Sequence, residues 1–234
     1  MAEIYTDGEY LKRTKTWHSE DSPWKAQQIA TIVAKCGIRP KSLVEIGCGA
    51  GKILEELVQY LLFGSVHMKG YDISPQAIEI CKQAGAKNIE FVCGDLLADG
   101  NTEHFDMLLA IDVFEHVPDY MGFLQKCKAK ADFKIYHIPL DIHVSSVLRN
   151  GLVAARQSLG HLHYFSAETA LATLHDTGHE VVDYAYTCGA IGLSKQHPSA
   201  RRTLANVPRW LVSRVSVPMA ARLFGGYSLI VLAK

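Results

Sequence analysis

The sequence predicts an α/β fold of the doubly wound class, in which a mostly parallel sheet of seven strands carries helices on both faces. Short apolar runs of strand length alternate along the chain with segments of helical periodicity. The first apolar run leads directly into glycines at three alternate positions, Gly47, Gly49 and Gly51. This order is typical of a strand, a tight turn and a helix. Backbone N–H groups of such a turn approach a ligand closely because glycine has no Cβ.

The predicted elements follow from this alternation. A helix begins after Ser22-Pro23 and ends near Cys36, because Ser is a favoured N-cap and Pro is tolerated at the first helical position. The helix after the glycine turn takes its apolar face from residues 53–61. The strands are predicted at residues 43–46, 66–71, 89–93, 105–111, 133–138, 180–186 and 227–233, and the later helices at 74–84, 119–129 and 166–177.

Composition limits the class of protein. Apolar residues make up 48% of the 234 residues, and Lys plus Arg equals Asp plus Glu at 24 each, which gives no support to a general nucleic-acid binder. The six cysteines form no C-x-x-C pair, and their scatter is typical of free thiols in a reducing compartment. No signal peptide or membrane span is apparent, so we expect a cytoplasmic protein.

Acidic residues follow the predicted strands. Asp72 ends the second strand about twenty residues after the glycine turn, the place of the acid that binds ribose hydroxyls in nucleotide-binding α/β proteins. Asp95 and Asp112 follow the third and fourth strands. Open α/β sheets bind ligands at the carboxyl ends of their strands, so these carboxylates are candidates for one binding site.

The motif Glu45-x-Gly47-x-Gly49-x-Gly51 resembles the first motif of class I S-adenosylmethionine-dependent methyltransferases. The acidic residues after the second, third and fourth strands, Asp72, Asp95 and Asp112, resemble the later motifs of the family and follow in the same order. The resemblance covers residues 40–190. The resemblance implies a Rossmann-like methyltransferase fold, with S-adenosyl-L-methionine as cofactor and a final strand antiparallel to its neighbours.

The resemblance also implies roles for residues near the turn. Glu45 positions the amino group of the cofactor, or alternatively bonds the N–H groups of the turn. The glycines, with Cys48 among them, contact the cofactor. Asp72 binds the ribose hydroxyls, and Ile73 packs on the adenine.

Two later pairs complete the implied cofactor site. Asp95 accepts from the exocyclic amine of adenine and the Leu96 N–H donates to a ring nitrogen; the alternative for Asp95 is a helix cap. Asp112 and Val113 lie beneath the sulfonium.

Two histidines are candidate catalytic residues. His116 can accept a proton near neutral pH, although Glu115-His116 is also a common feature of the fourth family motif, where the histidine braces the loop. His137 ends the fifth strand and is the second candidate. The spacing His161-x-His163 is compatible with half of a metal site. No nearby set of Cys or carboxylate residues in the sequence completes it, so we expect no metal.

The organisation expected from these motifs is one domain over residues 1–234. It comprises an N-terminal helical cap (1–39), a cofactor-binding core (40–138), an inserted lid (139–165) and a C-terminal half of the sheet (166–234). The lid is predicted because residues 139–165 break the strand–helix alternation beside the ligand edge.

We therefore expect methyl transfer to an oxygen or nitrogen atom of a small molecule. After the fourth strand, Asp112-Val113-Phe114-Glu115 stands where nucleic-acid amine methyltransferases carry an Asn-Pro-Pro-Tyr-like tetrad, so a nucleic-acid acceptor is not expected. One alternative is an NAD-dependent oxidoreductase, although Lys52 replaces the third glycine of the G-x-G-x-x-G fingerprint. The other is a non-catalytic protein that binds S-adenosylmethionine. The sequence leaves the oligomeric state open.

Overall fold

We describe the protein from a computed structural model, which covers residues 19–86, 88–194 and 200–234. Residues 1–18 of the predicted N-terminal cap lie outside this part of the chain. Within it, no helix is both long and apolar enough to cross a membrane.

Seven strands form a single sheet. The strands are β1 (Ser42–Ile46), β2 (His67–Asp72), β3 (Ile89–Cys93), β4 (Phe105–Ile111), β5 (Ala131–Pro139), β6 (Val181–Thr187) and β7 (Ser228–Ala233). Their order across the sheet is β3-β2-β1-β4-β5-β7-β6. β1 pairs in parallel with β2 and β4, β2 pairs in parallel with β3, and β7 is antiparallel to β6. The predicted mostly parallel, doubly wound sheet is confirmed.

Helices and short 3₁₀ turns alternate with these strands. The helices are α1 (Ser22–Lys35), α2 (Lys52–Leu57), α3 (Pro75–Ala84), α4 (Tyr120–Lys128), α5 (Val144–Leu148), α6 (Gly151–Ser158), α7 (Ala167–Asp176), α8 (Gly189–Gly192), α9 (Ala200–Val215) and α10 (Val217–Phe224). The 3₁₀ turns are Ser19–Asp21 and Phe114–His116.

The chain divides into two compact units. The first contains the residues up to Ile111, with Lys126–Ile135 and Lys234. The second contains Asp112–Gln125 and Tyr136–Ala233. The four segments predicted within one domain stay a prediction.

The first unit is built around β1. Leu43 is completely buried and lies opposite Met68 of β2 and Met107 of β4, which are also completely buried. Helices cover both faces of a parallel sheet, so the sequence of a central strand such as β1 is mostly apolar without alternation. The same register brings the carboxyl end of β1 beside the ends of β2 and β4.

The five helices predicted from the sequence all form, as α1, α2, α3, α4 and α7, but one helix end was misplaced. The Ser74 side chain accepts from the Ala77 N–H and caps α3. The predicted N-cap at Ser22 is wrong, because Ser22 lies within α1 and Asp21 precedes the helix without a side-chain cap bond. The predicted helix over residues 53–61 is wrong at its end, because α2 stops at Leu57. Successive turns follow, which bury Phe63 completely and leave Leu61 fully exposed.

The predicted lid contains two short helices, α5 and α6, in the second unit. His143 caps α5, since its Nδ1 accepts from the Ser146 N–H at 3.1 Å. Val147 and Leu148 present exposed apolar side chains on α5. The role of this segment as a lid stays a prediction.

Candidate active site

The glycine turn after β1 uses a backbone conformation that glycine adopts without strain. Gly47, Gly49 and Gly51 have φ angles of 69°, 53° and 72°, in the left-handed region where a Cβ is disfavoured. The N–H groups of Gly47 and Cys48 donate to the Tyr71 carbonyl at 2.8 and 3.1 Å. The turn is therefore fixed to the end of β2.

Gly51 also has no space for a side chain. A Cβ at this position would lie 2.5 Å from Cζ of Phe91 and 3.1 Å from Sγ of Cys81. The Phe91 ring therefore packs directly against the turn backbone, and α2 begins at the next residue.

Glu45 is a buried carboxyl group near the end of β1, with 1% of its surface exposed. Burial raises its pKa well above the usual value, and the Lys25 charge opposes this shift. Its Oε2 has no hydrogen-bond partner among the described residues. The N–H groups of residues 47, 48, 49 and 51 donate to other acceptors, so these bonds do not support the alternative in which Glu45 holds the turn.

Asp72 connects the turn to the start of α3. Its Oδ2 accepts from the Gly49 N–H at 2.9 Å, and its Oδ1 accepts from the Ser74 N–H at 2.8 Å. Burial raises the pKa of Asp72, and the two backbone bonds oppose the shift. Each carboxylate oxygen keeps a second lone pair with which it can accept from a ligand hydroxyl. The adjacent Ile73 is exposed, as an apolar ligand contact requires.

Asp95 and Leu96 follow β3 in a turn. The exposed Asp95 accepts from the Leu97 N–H through Oδ1 at 2.8 Å and so caps a turn. The helix cap that the sequence left as an alternative is wrong, because the described residues between β3 and β4 contain no helix. The Leu96 side chain is completely buried. A carboxylate has about four acceptor positions, so this cap is compatible with an additional ligand contact.

Cys48 lies buried within the glycine turn. A hydrogen bond with the Cys81 side chain, together with burial, raises the pKa of the Cys48 thiol well above its usual value. The thiol therefore stays protonated at neutral pH and is suited to packing rather than to nucleophilic chemistry.

In the second unit, Asp112 has a φ of 55°, unusual for a residue with a side chain. Its N–H donates to the His137 carbonyl at 3.0 Å, and its Oδ1 accepts from His137 Nδ1 at 2.6 Å. His137 Nε2 lies 3.0 Å from Thr187 Oγ1. Both ring nitrogens of the buried His137 are thus engaged, and it holds Asp112 in place. The neighbouring Val113 is half-buried.

His116 lies in the 3₁₀ turn after Asp112 and Val113. Its Nδ1 donates to the Gly160 carbonyl at 3.1 Å, which braces the loop after α6. Burial and the nearby His161 lower its pKa to about 4. The imidazole is therefore neutral at pH 7 but is a weak acceptor for the proton of a hydroxyl group.

Two further side chains join His116, and the sequence had not identified them as a set. Glu115 is completely buried, and His161 is buried with Nδ1 at 2.6 Å from Asp141 Oδ2. One ligand atom from each of Glu115, His116 and His161 lies within 4.8 Å of the other two. His163 lies outside this set, with Nε2 3.0 Å from the Val117 carbonyl. No sequence spacing could reveal the set, because its members come from two distant segments.

A family model described as a methyltransferase domain matches residues 17–184, which is more than half of the chain. The chain belongs to this methyltransferase family. The family predicted from the glycine motif and the acidic residues is therefore confirmed, and the match does not support the oxidoreductase alternative.

Named relatives share parts of this methyltransferase domain. A ubiquinone biosynthesis O-methyltransferase from Idiomarina loihiensis is 29% identical over 131 residues, which are 53% of this chain and 52% of the relative. The chain thus spans about half the length of this curated relative.

Solved structures share the fold. Magnesium protoporphyrin IX methyltransferase from Synechocystis PCC 6803, with bound SAH, has a TM-score of 0.59 and 16% identity, covering 95% of this chain and 85% of that protein. The [4+2]-cyclase SpnF has a TM-score of 0.57 and 16% identity, covering 88% of this chain and 80% of that protein. A cyclase among these neighbours illustrates that the fold alone does not decide the reaction.

Proposed function

We propose that the protein transfers a methyl group from S-adenosyl-L-methionine to an oxygen atom of a small molecule. The observation that carries this proposal is the buried Glu45 with an unpartnered Oε2, in the strand that leads into three glycines of left-handed conformation. A buried acceptor without a donor is unfavourable, and a cationic amino group would satisfy it. Family membership supports the reaction, and the O-methyltransferase relative favours oxygen over nitrogen.

Residues of the first unit would hold most of the cofactor. Gly47, Gly49 and Gly51 allow close approach to their backbone, with Cys48 packed among them. Glu45 would accept from the amino group, and the remaining lone pairs of Asp72 would accept from the ribose hydroxyls.

The adenine and the reacting end would be held by the later motif residues. Ile73 would offer its exposed apolar side chain to the adenine. Asp95 and Leu96, which follow β3 in the chain, would supply the polar groups. Asp112 and Val113, which follow β4 in the chain, would lie near the sulfonium.

Bound S-adenosylmethionine supplies an electrophilic methyl group. The residues of the chain then have to align the acceptor with this methyl and to exclude water, since positioning provides most of the rate of such a displacement. In this scheme His137 is a positioning residue that fixes Asp112. His116 remains the candidate that faces the acceptor.

The six cysteines are free thiols, which supports the proposed cytoplasmic location.

Calorimetry and a transfer assay test the proposal. We expect S-adenosylmethionine and S-adenosylhomocysteine to bind with 1:1 stoichiometry and NAD⁺ not to bind. Methyl-labelled S-adenosylmethionine is incubated with a metabolite extract, then with panels of phenols and of amines. We expect S-adenosylhomocysteine and a labelled methyl ether from a phenol, whereas a labelled methylamine would contradict the oxygen assignment. Binding without any turnover would favour the non-catalytic alternative, and NAD⁺ binding in place of S-adenosylmethionine would overturn the cofactor assignment.

A further inference from the structure

Three side chains of metal-ligating type converge in the second unit, where no metal is expected from the sequence. Glu115 and His116 belong to the 3₁₀ turn Phe114–His116, and His161 belongs to the loop after α6. Glu115 Oε1 lies 3.9 Å from His116 Nε2, and the two imidazole rings are 5.0 Å apart between centroids. Glu115 and His161 are buried, and His116 is half-buried.

The partners of the two histidines define which nitrogen faces the group. His116 Nδ1 lies against the Gly160 carbonyl and His161 Nδ1 against the Asp141 carboxylate, and both of these partners are acceptors. Each Nδ1 must therefore carry the proton, which makes Nε2 of each neutral ring an acceptor. Metal-binding histidines are oriented in the same way, with the second ring nitrogen donating to a carbonyl or a carboxylate.

Backbone bonds hold the two segments together. The N–H groups of Leu162 and His163 both donate to the Glu115 carbonyl, at 2.8 and 3.1 Å. His163 Nε2 adds a bond to the Val117 carbonyl. The side chains are thus carried on a loop whose position against the 3₁₀ turn is set before any ion binds, and such preorganisation favours metal binding.

A carboxylate and two imidazole acceptors that face one another form a set of ligand atoms for a cation. We propose that Glu115, His116 and His161 bind a transition-metal ion of the Zn²⁺ class. Two histidines and one carboxylate form a set that this class of ion prefers, whereas Mg²⁺ and Ca²⁺ favour oxygen ligands. Neighbouring ligand atoms of a tetrahedral Zn²⁺ site lie about 3.3 Å apart. Glu115 Oε1 and His116 Nε2, 3.9 Å apart, need to approach by about 0.6 Å, and no pair in the set, within 4.8 Å, needs more than about 1.5 Å.

Three protein ligands leave one coordination position open. In Zn²⁺ enzymes with this arrangement, the open position holds water or an oxygen atom of the substrate. The inference that a hydroxyl group of the methyl acceptor occupies this open position rests on the proposed function. The metal site itself does not rest on it.

Metal binding can be measured directly on the full chain. The protein is freed of metal by dialysis against a chelator and titrated with Zn²⁺ against a chromogenic competitor in phosphine-reduced buffer. We expect one equivalent of Zn²⁺ to bind. Co²⁺ in its place should give the intense visible absorption of a four- or five-coordinate ion with nitrogen and oxygen ligands. If the chain binds no Zn²⁺, or only Co²⁺ with the weak spectrum of the hydrated ion, the proposal is wrong.

Variants assign the ion to this site. His161→Gln and Glu115→Gln should weaken Zn²⁺ binding more than tenfold, and Asp141→Asn should weaken it by about 10–100-fold through the orientation of His161. His163→Gln is the matched control, because His163 lies on the same loop but outside the ligand set, and the Gln amide keeps a donor for the Val117 carbonyl. Its Zn²⁺ affinity should equal that of the wild type. Equal Zn²⁺ affinity in all variants would place the ion elsewhere, for example on cysteines. An equal loss of Zn²⁺ affinity in the control would show a general effect of the loop. Either result contradicts the assignment. Cofactor binding by calorimetry is measured separately, so failure of the proposed function is distinguishable from failure of the metal site.

Discussion

His137 holds Asp112 in a left-handed backbone conformation through two bonds, one from Nδ1 to Oδ1 at 2.6 Å and one between the main chains at 3.0 Å. Strained backbone of this kind persists only where the surroundings determine it, and it is concentrated at functional sites. Thr187 Oγ1 bonds Nε2 of the same ring and so restricts the orientation of the imidazole further. The catalytic candidate His137 is therefore better placed to fix Asp112 than to take a proton from a substrate.

Replacement of His137 by Leu tests this positioning role. The variant loses the donor that fixes Asp112. We expect S-adenosylmethionine affinity to fall about tenfold or more, because the unfixed Asp112 would lose its contact with the cationic cofactor, and a bond to a charged group contributes about 1.5–3 kcal/mol. Tyr136→Phe is the control, because it removes another buried bond, to His179, from the adjacent position of β5. Both variants should unfold at lower urea concentration, but only His137→Leu should bind the cofactor less tightly in calorimetry. Unchanged cofactor affinity in His137→Leu would exclude the role.

Local sequence signals predicted much of the fold and the part of the candidate site that lies in the first unit. The position of Asp72 at the end of β2 and the start of α3 at Ser74-Pro75 follow from residues adjacent in sequence, and the structure has them as predicted. The error at Leu61 has a simple physical origin. Helical periodicity placed this side chain on the apolar face, but the turns after α2 bury Phe63 in its place.

Long-range contacts could not be predicted in the same way. The set of Glu115, His116 and His161 depends on a loop that returns to the 3₁₀ turn, and the bond between His137 and Thr187 joins β5 to β6. Neither relationship has a fixed sequence spacing. The sequence therefore identified His116 and His137 as functional candidates but could not distinguish a proton acceptor from a ligand or a positioning residue.

Replacement of Asp72 by Asn tests the ribose assignment. The amide has one acceptor oxygen and no charge, so bonds to the ribose hydroxyls are weakened or lost. We expect S-adenosylmethionine affinity to fall about tenfold or more in calorimetry. Asp106→Asn is the matched control, because Asp106 also accepts from two backbone N–H groups but has no place in the proposed site. Equal affinities of the two variants would contradict the assignment.

The stability conferred by Asp106 should depend on pH. The backbone N–H groups of Lys41 and Ser42, at 2.6 and 3.0 Å, lower the pKa of this carboxyl below its usual value of 3.8. At a pH between the folded and the unfolded pKa of Asp106, the unfolded chain binds more protons than the folded chain. The stabilisation is therefore complete above the unfolded pKa, and it is lost as the pH falls through the folded pKa. Urea unfolding of wild type and Asp106→Asn should differ most at neutral pH and converge in acid. A difference independent of pH would mean that the ionised carboxylate is not responsible.

The close approach of Phe91 to the glycine turn predicts different effects of the same substitution at two glycines. Gly51 and Gly85 have nearly identical φ angles of 72° and 71°, so Ala at either position should lose about 1–2 kcal/mol of unfolding free energy to backbone strain. A Cβ at Gly85 meets no atom within 4 Å, whereas one at Gly51 would lie 2.5 Å from the Phe91 ring. Gly51→Ala should therefore be less stable than Gly85→Ala by about 1–3 kcal/mol in urea unfolding, and it alone should bind S-adenosylmethionine more weakly.

Phe91→Leu provides the control for this comparison, because it shortens the side chain that the new Cβ would meet. In the double variant Gly51→Ala with Phe91→Leu, the loss should be smaller than the sum of the two single losses, since the substitutions act on one contact. Additive losses would show that the Phe91 ring moves aside without cost. In that case the glycine at position 51 is required by its backbone conformation alone, and the weaker cofactor binding of Gly51→Ala would have to arise from the turn itself.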